Sequence, residues 1–373
     1  MTLRERILAV YNGEVPDKVP FMLDLSHYYY EKTQKPWDLC NGYSEPETDM
    51  SDFNRQHGAG FYIPNQAVFM ETTYDDNVKA TAERRVVDGV PEICWRYETP
   101  IGCIERIRMW EQGSYSWAIK KWGVETEEDL KVLGYAMSRR KFKPLIENYQ
   151  KWDDYVGDLG IVYLVPGYSA MGYLLNYWMG IENTIYATID MEDTLHEVVD
   201  EINESNLEMV RCFAQFPGRV AIMGDNFSGD LQPPSFFETW SKDYYTKAID
   251  LFHRSGKKVA VHVDGLLRGA IGMIRDAGAD AIDAVTPAPM GDYTPQQCRD
   301  EAGDRLILSG GVPPNLWLPE APEEAFRKSV MDWLDLRKRS PALIAAAGDQ
   351  VPPHAVESRI DLFREMVEEY GAY

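Results

Sequence analysis

Cysteine is scarce and scattered in this chain. Cys40, Cys94, Cys103, Cys212 and Cys298 are odd in number and never form a CxxC pair, which excludes a disulfide scaffold and a thiolate zinc finger. Long apolar runs are missing too, since none approaches the roughly 18 residues that a membrane span needs. The opening segment MTLRERILAVYNGEVPDKVP has neither the apolar stretch nor the small-residue cleavage site of a secretory leader. No membrane anchor and a cytoplasmic address are therefore expected. There is no basic excess: 60 acidic residues stand against 38 basic ones, a formal net charge of -22, which argues against nonspecific affinity for nucleic acid or anionic lipid. Neither a GxGxxG turn nor a Walker-type phosphate loop follows any strand-like run, which removes the usual reason to choose a nucleotide fold.

What remains is a long globular chain, 45% hydrophobic and 26% charged, able to bury a large core. Leu3 to Asn12 reads as an amphipathic helix ended by Gly13, and Asp17 and Pro20 lead into VPFMLDLS as a strand. From Asn77 to Trp122 apolar and polar residues alternate between Gly and Pro breakers, the pattern of antiparallel hairpins. After the charged helical start ETEEDLKVL one theme repeats: apolar strand, loop, helix. The strand candidates are IVYLVPGY, VAIMGDN, KVAVHVDG, DAIDAVTP, RLILSGGV and ALIAAAGD. Such alternation means a parallel sheet. With VPFMLDLS it predicts an α/β fold, a (β/α)8 TIM barrel with an N-terminal helical and β-hairpin elaboration. The expected organisation is a single domain over 1–373, with 1–125 opening the barrel and carrying the hairpins and 126–373 forming its main part.

Barrel chemistry sits at the C-terminal ends of the strands. There the chain offers Asp24, Ser26 and His27, then Tyr168, Asp225 and Asn226, His262 and Asp264, Asp283, Ser309, and Asp349. A loop cap or Asx-turn explains any one of these carboxylates; their joint placement is harder to explain that way. His262 and Asp264 are two apart, so strand alternation points them to one face. With Asp283 and Asp349 they admit two readings. One is a hard divalent metal site with one nitrogen and several oxygens. The other is a metal-free set of acid and base groups in which crowding forces at least one carboxyl to keep its proton. Aromatics cluster near the strand ends as well, and most would serve packing. An apolar, ring-lined pocket suits a planar aromatic ligand better than a sugar phosphate.

These segments together resemble the uroporphyrinogen decarboxylase superfamily, which includes corrinoid-dependent methyltransferases. The resemblance rests on RERILAVYNGEVPDKVP, TEEDLKVL, GDNFSGDLQPPSFFETW, HRSGKKVAVHVDG, GADAIDAVTPAPMGD, RLILSGGVPPNLW and AGDQVPPHAVESRI, and spans nearly the whole chain. The decarboxylases carry an Arg-Gln-Ala-Gly-Arg signature near the first strand, where this chain reads DLSHYYYEK. The methyltransferase branch holds zinc through His-x-Cys and a second Cys before Val-Pro-Pro. His262 matches the His, Asp264 and Asp349 stand where the thiolates would be, and Asp283 falls near an intervening Glu.

The resemblance thus implies an O-demethylase methyltransferase that moves a methyl group from a small aromatic methyl ether to Co(I) on a partner corrinoid protein. Carboxylates in place of thiolates suit activation of an oxygen leaving group rather than a thiol. The expected catalytic set is His262, Asp264, Asp349 and Asp225. The expected metal set, if a divalent ion such as zinc is held, is His262, Asp264, Asp283 and Asp349. Tyr28, Tyr168, Tyr173, Trp178 and Asn226 are the expected substrate contacts. Competing readings are methanol or an amine as donor, a second component acting on folate or a thiol, and a metal-free lyase or tetrapyrrole binder. Corrinoid on the partner is the expected cofactor, neither nucleic acid nor membrane is an expected partner, and a homodimer is compatible with the sequence.

Overall fold

The computed structural model describes residues 1–35, 39, 43–62 and 68–373; Cys40 lies outside the described residues. Five parallel strands, Val220–Phe227, Lys258–Val263, Ala281–Val285, Ile307–Val312 and Leu343–Ala347, form one sheet in which chain neighbours are spatial neighbours. Every residue of the last two is buried, as expected of parallel strands covered on both faces. Three shorter extended stretches close the ring. Leu164 pairs with Ala221, Phe61 with Gly160, Met22 with Gly60, and Phe21 with Ala345, all in parallel. Main-chain bonds such as Leu164 N to Val220 O at 2.9 Å and Met22 N to Ala345 O at 3.0 Å hold the junctions. Eight staves result, which is the expected (β/α)8 barrel.

Seven of the eight staves are readable as apolar runs; the missing one is the stretch around Gly60. Its backbone runs so close to the first stave that a Cβ on Gly60 would stand 2.7 Å from the Phe21 carbonyl oxygen. A stave two or three residues long and built around glycine leaves no apolar run to detect.

The hairpin elaboration is a four-stranded antiparallel sheet: Lys79–Val87, Val90–Thr99, Gly102–Glu111 and Ser116–Lys121. Its first turn pairs Val87 with Val90 across Asp88 and Gly89, both at positive φ (52° and 82°), the geometry that makes Asp-Gly a hairpin signal. The sheet is anchored by a second core in which Ile104 meets Leu133, Trp178, Leu195 and Val198. Each such aliphatic side chain contributes about 1.5–3 kcal/mol when fully buried. Leu133 belongs to the helix Glu127–Ser138, whose start is fixed by a capping box. Asp129 N donates to Thr126 Oγ1 at 3.2 Å and Thr126 N donates to Asp129 Oδ2 at 3.0 Å. Docked in this way, the sheet overhangs the C-terminal mouth of the barrel.

Candidate active site

A cavity of about 670 Å³ opens at the C-terminal ends of the staves. Its floor is polar. Asp24, His262, Asp264, Asp283, Asp349 and Gln350 line it, so four of the strand-end carboxylates share one cavity. His262 Nδ1 lies 2.8 Å from the Asp283 carbonyl oxygen. A carbonyl only accepts, so Nδ1 carries a proton and donates it there, which leaves Nε2 as the ring's other hydrogen-bonding atom. The Asp264 backbone N–H is tied to Phe227 O at 3.0 Å, which leaves its exposed carboxylate at the rim of the cavity.

The carboxyls differ in environment. Asp349 is pushed up to about 7, chiefly by burial and then by the charge of Asp264, with His262 pulling the other way. Burial raises Asp283 too, opposed by the Ser309 hydroxyl, the His262 ring and the Tyr62 hydroxyl. Its Oδ2 has no hydrogen-bond partner among the described residues. Burial also raises Asp24, against hydrogen bonds from Ser26 N at 2.9 Å, Ser26 Oγ at 2.6 Å and Gln350 Nε2 at 3.1 Å. Near neutrality Asp349 therefore keeps a proton that an exposed carboxylate would lose.

The expected metal set, His262, Asp264, Asp283 and Asp349, shares this floor without closing into a cage. Among the described residues no group of three or more His, Cys, Asp or Glu side chains converges as a metal ion requires.

The opposite wall is aromatic. Tyr168, Tyr173 and Tyr177 form a cluster with ring centroids 4.7–6.0 Å apart, and Trp95 and Trp117 reach in from the antiparallel sheet. Tyr168 OH donates to Asn226 Oδ1 at 3.3 Å. Tyr173 and Tyr177 lie where a short helix, Ala170–Tyr173, runs into a π-helical turn, Leu174–Trp178, an irregularity frequent at functional sites.

Three expected site residues fall elsewhere. Asp225 is buried in the wall, not in the cavity, accepting from Ser169 N at 2.6 Å, Tyr245 OH at 2.8 Å and the Ser169 hydroxyl. Asn226 adopts φ 48° and the pairing register slips between Met223 and Phe227. This turn sends Asn226 into the cavity and Asp225 behind it, where Gly172 makes room: a Cβ there would stand 2.5 Å from Asp225 Oδ1. Tyr28 points away, donating to Glu357 Oε2 at 2.6 Å and stacking on Phe53. Trp178 is packed under the sheet against Tyr97 at 5.1 Å. Conversely, Arg106 and Arg108 line the cavity and were not among the expected contacts. Their signal was the alternation in CIERIRMW, which sets both on one face of a strand.

Residues 167–370 match the family described as Uroporphyrinogen decarboxylase (URO-D). The chain belongs to that family. The match begins just before the Tyr168 strand end and takes in His262, Asp264, Asp283 and Asp349. A methyltransferase from Methanosarcina mazei has a similar structure at 15% identity, with a TM-score of 0.64 over 99% of both chains. At that identity the likeness concerns the fold. A type I 3-dehydroquinate dehydratase from Clostridium difficile aligns at 10% identity over 52% of this chain and 79% of its own, with a TM-score of 0.26. A pneumococcal exo-β-D-N-acetylglucosaminidase aligns at 11% identity over 60% and 63%, with a TM-score of 0.31. No curated protein sequence matches. Among the described residues of this URO-D family chain no helix is long and apolar enough to cross a membrane.

Proposed function

We propose that this chain is the methyltransferase component of an O-demethylase system, taking the methyl group from a small methoxylated aromatic compound. The observation that carries this reading is one cavity with two unlike walls: tyrosine and tryptophan rings on one side, a cluster of carboxyls around His262 on the other. A planar ring packs on the first wall. Its ether oxygen then meets the second.

An aryl ether releases its methyl group only if the developing phenolate is stabilised. Asp349, which keeps its proton up to about pH 7, donates that proton to the ether oxygen as the carbon–oxygen bond breaks. The product is the neutral phenol, and Asp349 is left as a carboxylate that regains a proton from solvent. His262 Nε2 and the unpartnered Asp283 Oδ2 orient the leaving oxygen and the acid. Tyr168, held by Asn226, limits ring rotation. A partner protein's corrinoid supplies, when bound, the Co(I) nucleophile to which the methyl group passes.

The test is to mix the chain with a reduced corrinoid protein and a methoxyarene and to follow the corrinoid absorbance together with the phenol released. Stoichiometric appearance of both is expected. A spectral change with methanol or methylamines and none with any methoxyarene would reject the substrate assignment.

A further inference from the structure

Arg106 and Arg108 reach the cavity from the strand Gly102–Glu111 of the overhanging sheet. Neither forms an ion pair with a carboxylate among the described residues. Arg106 Nη1 donates to the Tyr177 carbonyl and Arg108 Nη2 to the Asn176 carbonyl, each at 3.3 Å. The Nε–H of each is buried with no partner. Arg106 is only 7% exposed and stacks over Trp95 at 4.2 Å, Tyr177 at 4.8 Å and Trp178 at 5.0 Å. Arg108 covers the same Tyr177 ring at 4.8 Å.

Two adjacent cations without a counter-charge, Arg106 buried and Arg108 half-buried, are costly to hold there. Burial, and then the charge of Arg108, lower Arg106 to about 10. Stacking on rings recovers part of the cost but leaves the Nε–H groups unmade. In a chain of net charge -22, with carboxylates close to most surface arginines, this pair stands out as held open. A guanidinium fork matches a planar carboxylate, and this one faces the aromatic end of the cavity.

We propose that the substrate carries a carboxylate and that Arg106 and Arg108 bind it, making the donor a methoxylated aromatic acid. This deepens the functional reading above and rests on it for the ether end of the molecule. Arg106 and Arg108 act as specificity residues: they fix the acid end, so that the ring lies on the tyrosine wall and the methoxy group turns toward the carboxyl floor.

Equilibrium binding to the unmodified protein near neutral pH separates the possibilities, using para- and meta-methoxybenzoate against the corresponding neutral methoxybenzamides. The acids are expected to bind about tenfold or more tightly than the amides, the worth of one charge-assisted pair. In Arg108→Gln, checked by circular dichroism for an intact fold, the ratio of acid to amide affinity should fall toward one. Equal binding of acid and amide, no binding of either acid, or a preference that survives Arg108→Gln would each overturn the proposal. Arg108-dependent binding of an acid whose methyl group never leaves in the presence of reduced corrinoid protein would reject the functional reading and leave this one standing. Equal demethylation of acids and amides would do the reverse.

Discussion

Asp349 shows how one residue's role depends on its surroundings. On the sequence it closes the run ALIAAAGD and could as well cap a loop. In the barrel, burial and the neighbouring Asp264 raise it to about 7, which places an acid where an ether oxygen can meet it. If it donates the proton, turnover should fall as pH rises above about 7, because the competent form is the protonated one. Asp349→Asn should lower the rate by about 10²–10⁴-fold and abolish that limb of the pH profile. An unchanged profile in the variant would assign the proton elsewhere. Period-2 alternation was enough to place His262 and Asp264 together. It failed one strand earlier, because the left-handed turn at Asn226 exchanges which of two neighbouring residues faces the cavity. Tyr28 and Trp178 were misplaced for a related reason: an aromatic near a strand end gives no sign of which side of its helix will be turned to the core.

Elements were legible where the local pattern and the tertiary demand agree. TEEDLKVL announces a helix start, and Thr126 with Asp129 forms the reciprocal cap there. Thr126→Ala should cost about 1 kcal/mol, read as a lower urea midpoint at unchanged slope. A wild-type midpoint would mean that packing of Leu133 and Val198 alone sets the helix. The stave at Gly60 lay beyond any local pattern, because it is defined by partners far away in sequence, Met22 for Gly60 and Gly160 for Phe61. The antiparallel sheet was legible as hairpins. That it overhangs the barrel and delivers Arg106 and Arg108 to the cavity is set by its contact with Glu127–Ser138, which a hairpin pattern does not encode.

For the whole molecule, the buried carboxyls tie stability to pH. Asp24, Asp283 and Asp349 are all raised in the folded chain. A raised acid binds a proton in the folded state that the unfolded chain has already released, so its contribution is full below the unfolded value and is lost as pH rises through the folded one. For Asp349 that window runs from about pH 4 to about pH 7, and the effect is on the order of a few kcal/mol. The melting temperature of Asp349→Asn relative to the wild type should therefore rise across this window. A constant difference across that window, about pH 4 to about pH 7, would show that Asp349 is not raised in the folded chain.

By itself the sequence determined the alternation of strand and helix, and hence the barrel, together with the placing of carboxylates at strand ends. Both follow from hydrophobic periodicity, a property of neighbours along the chain. The tertiary structure decided which strand-end groups share a cavity, which of them keep a proton, and which cations stand without a partner. Those depend on burial and on distances between residues far apart in sequence, such as Asp349 and Asp264, or Arg106 and Tyr177, which come together only when the ring closes and the antiparallel sheet folds over its mouth.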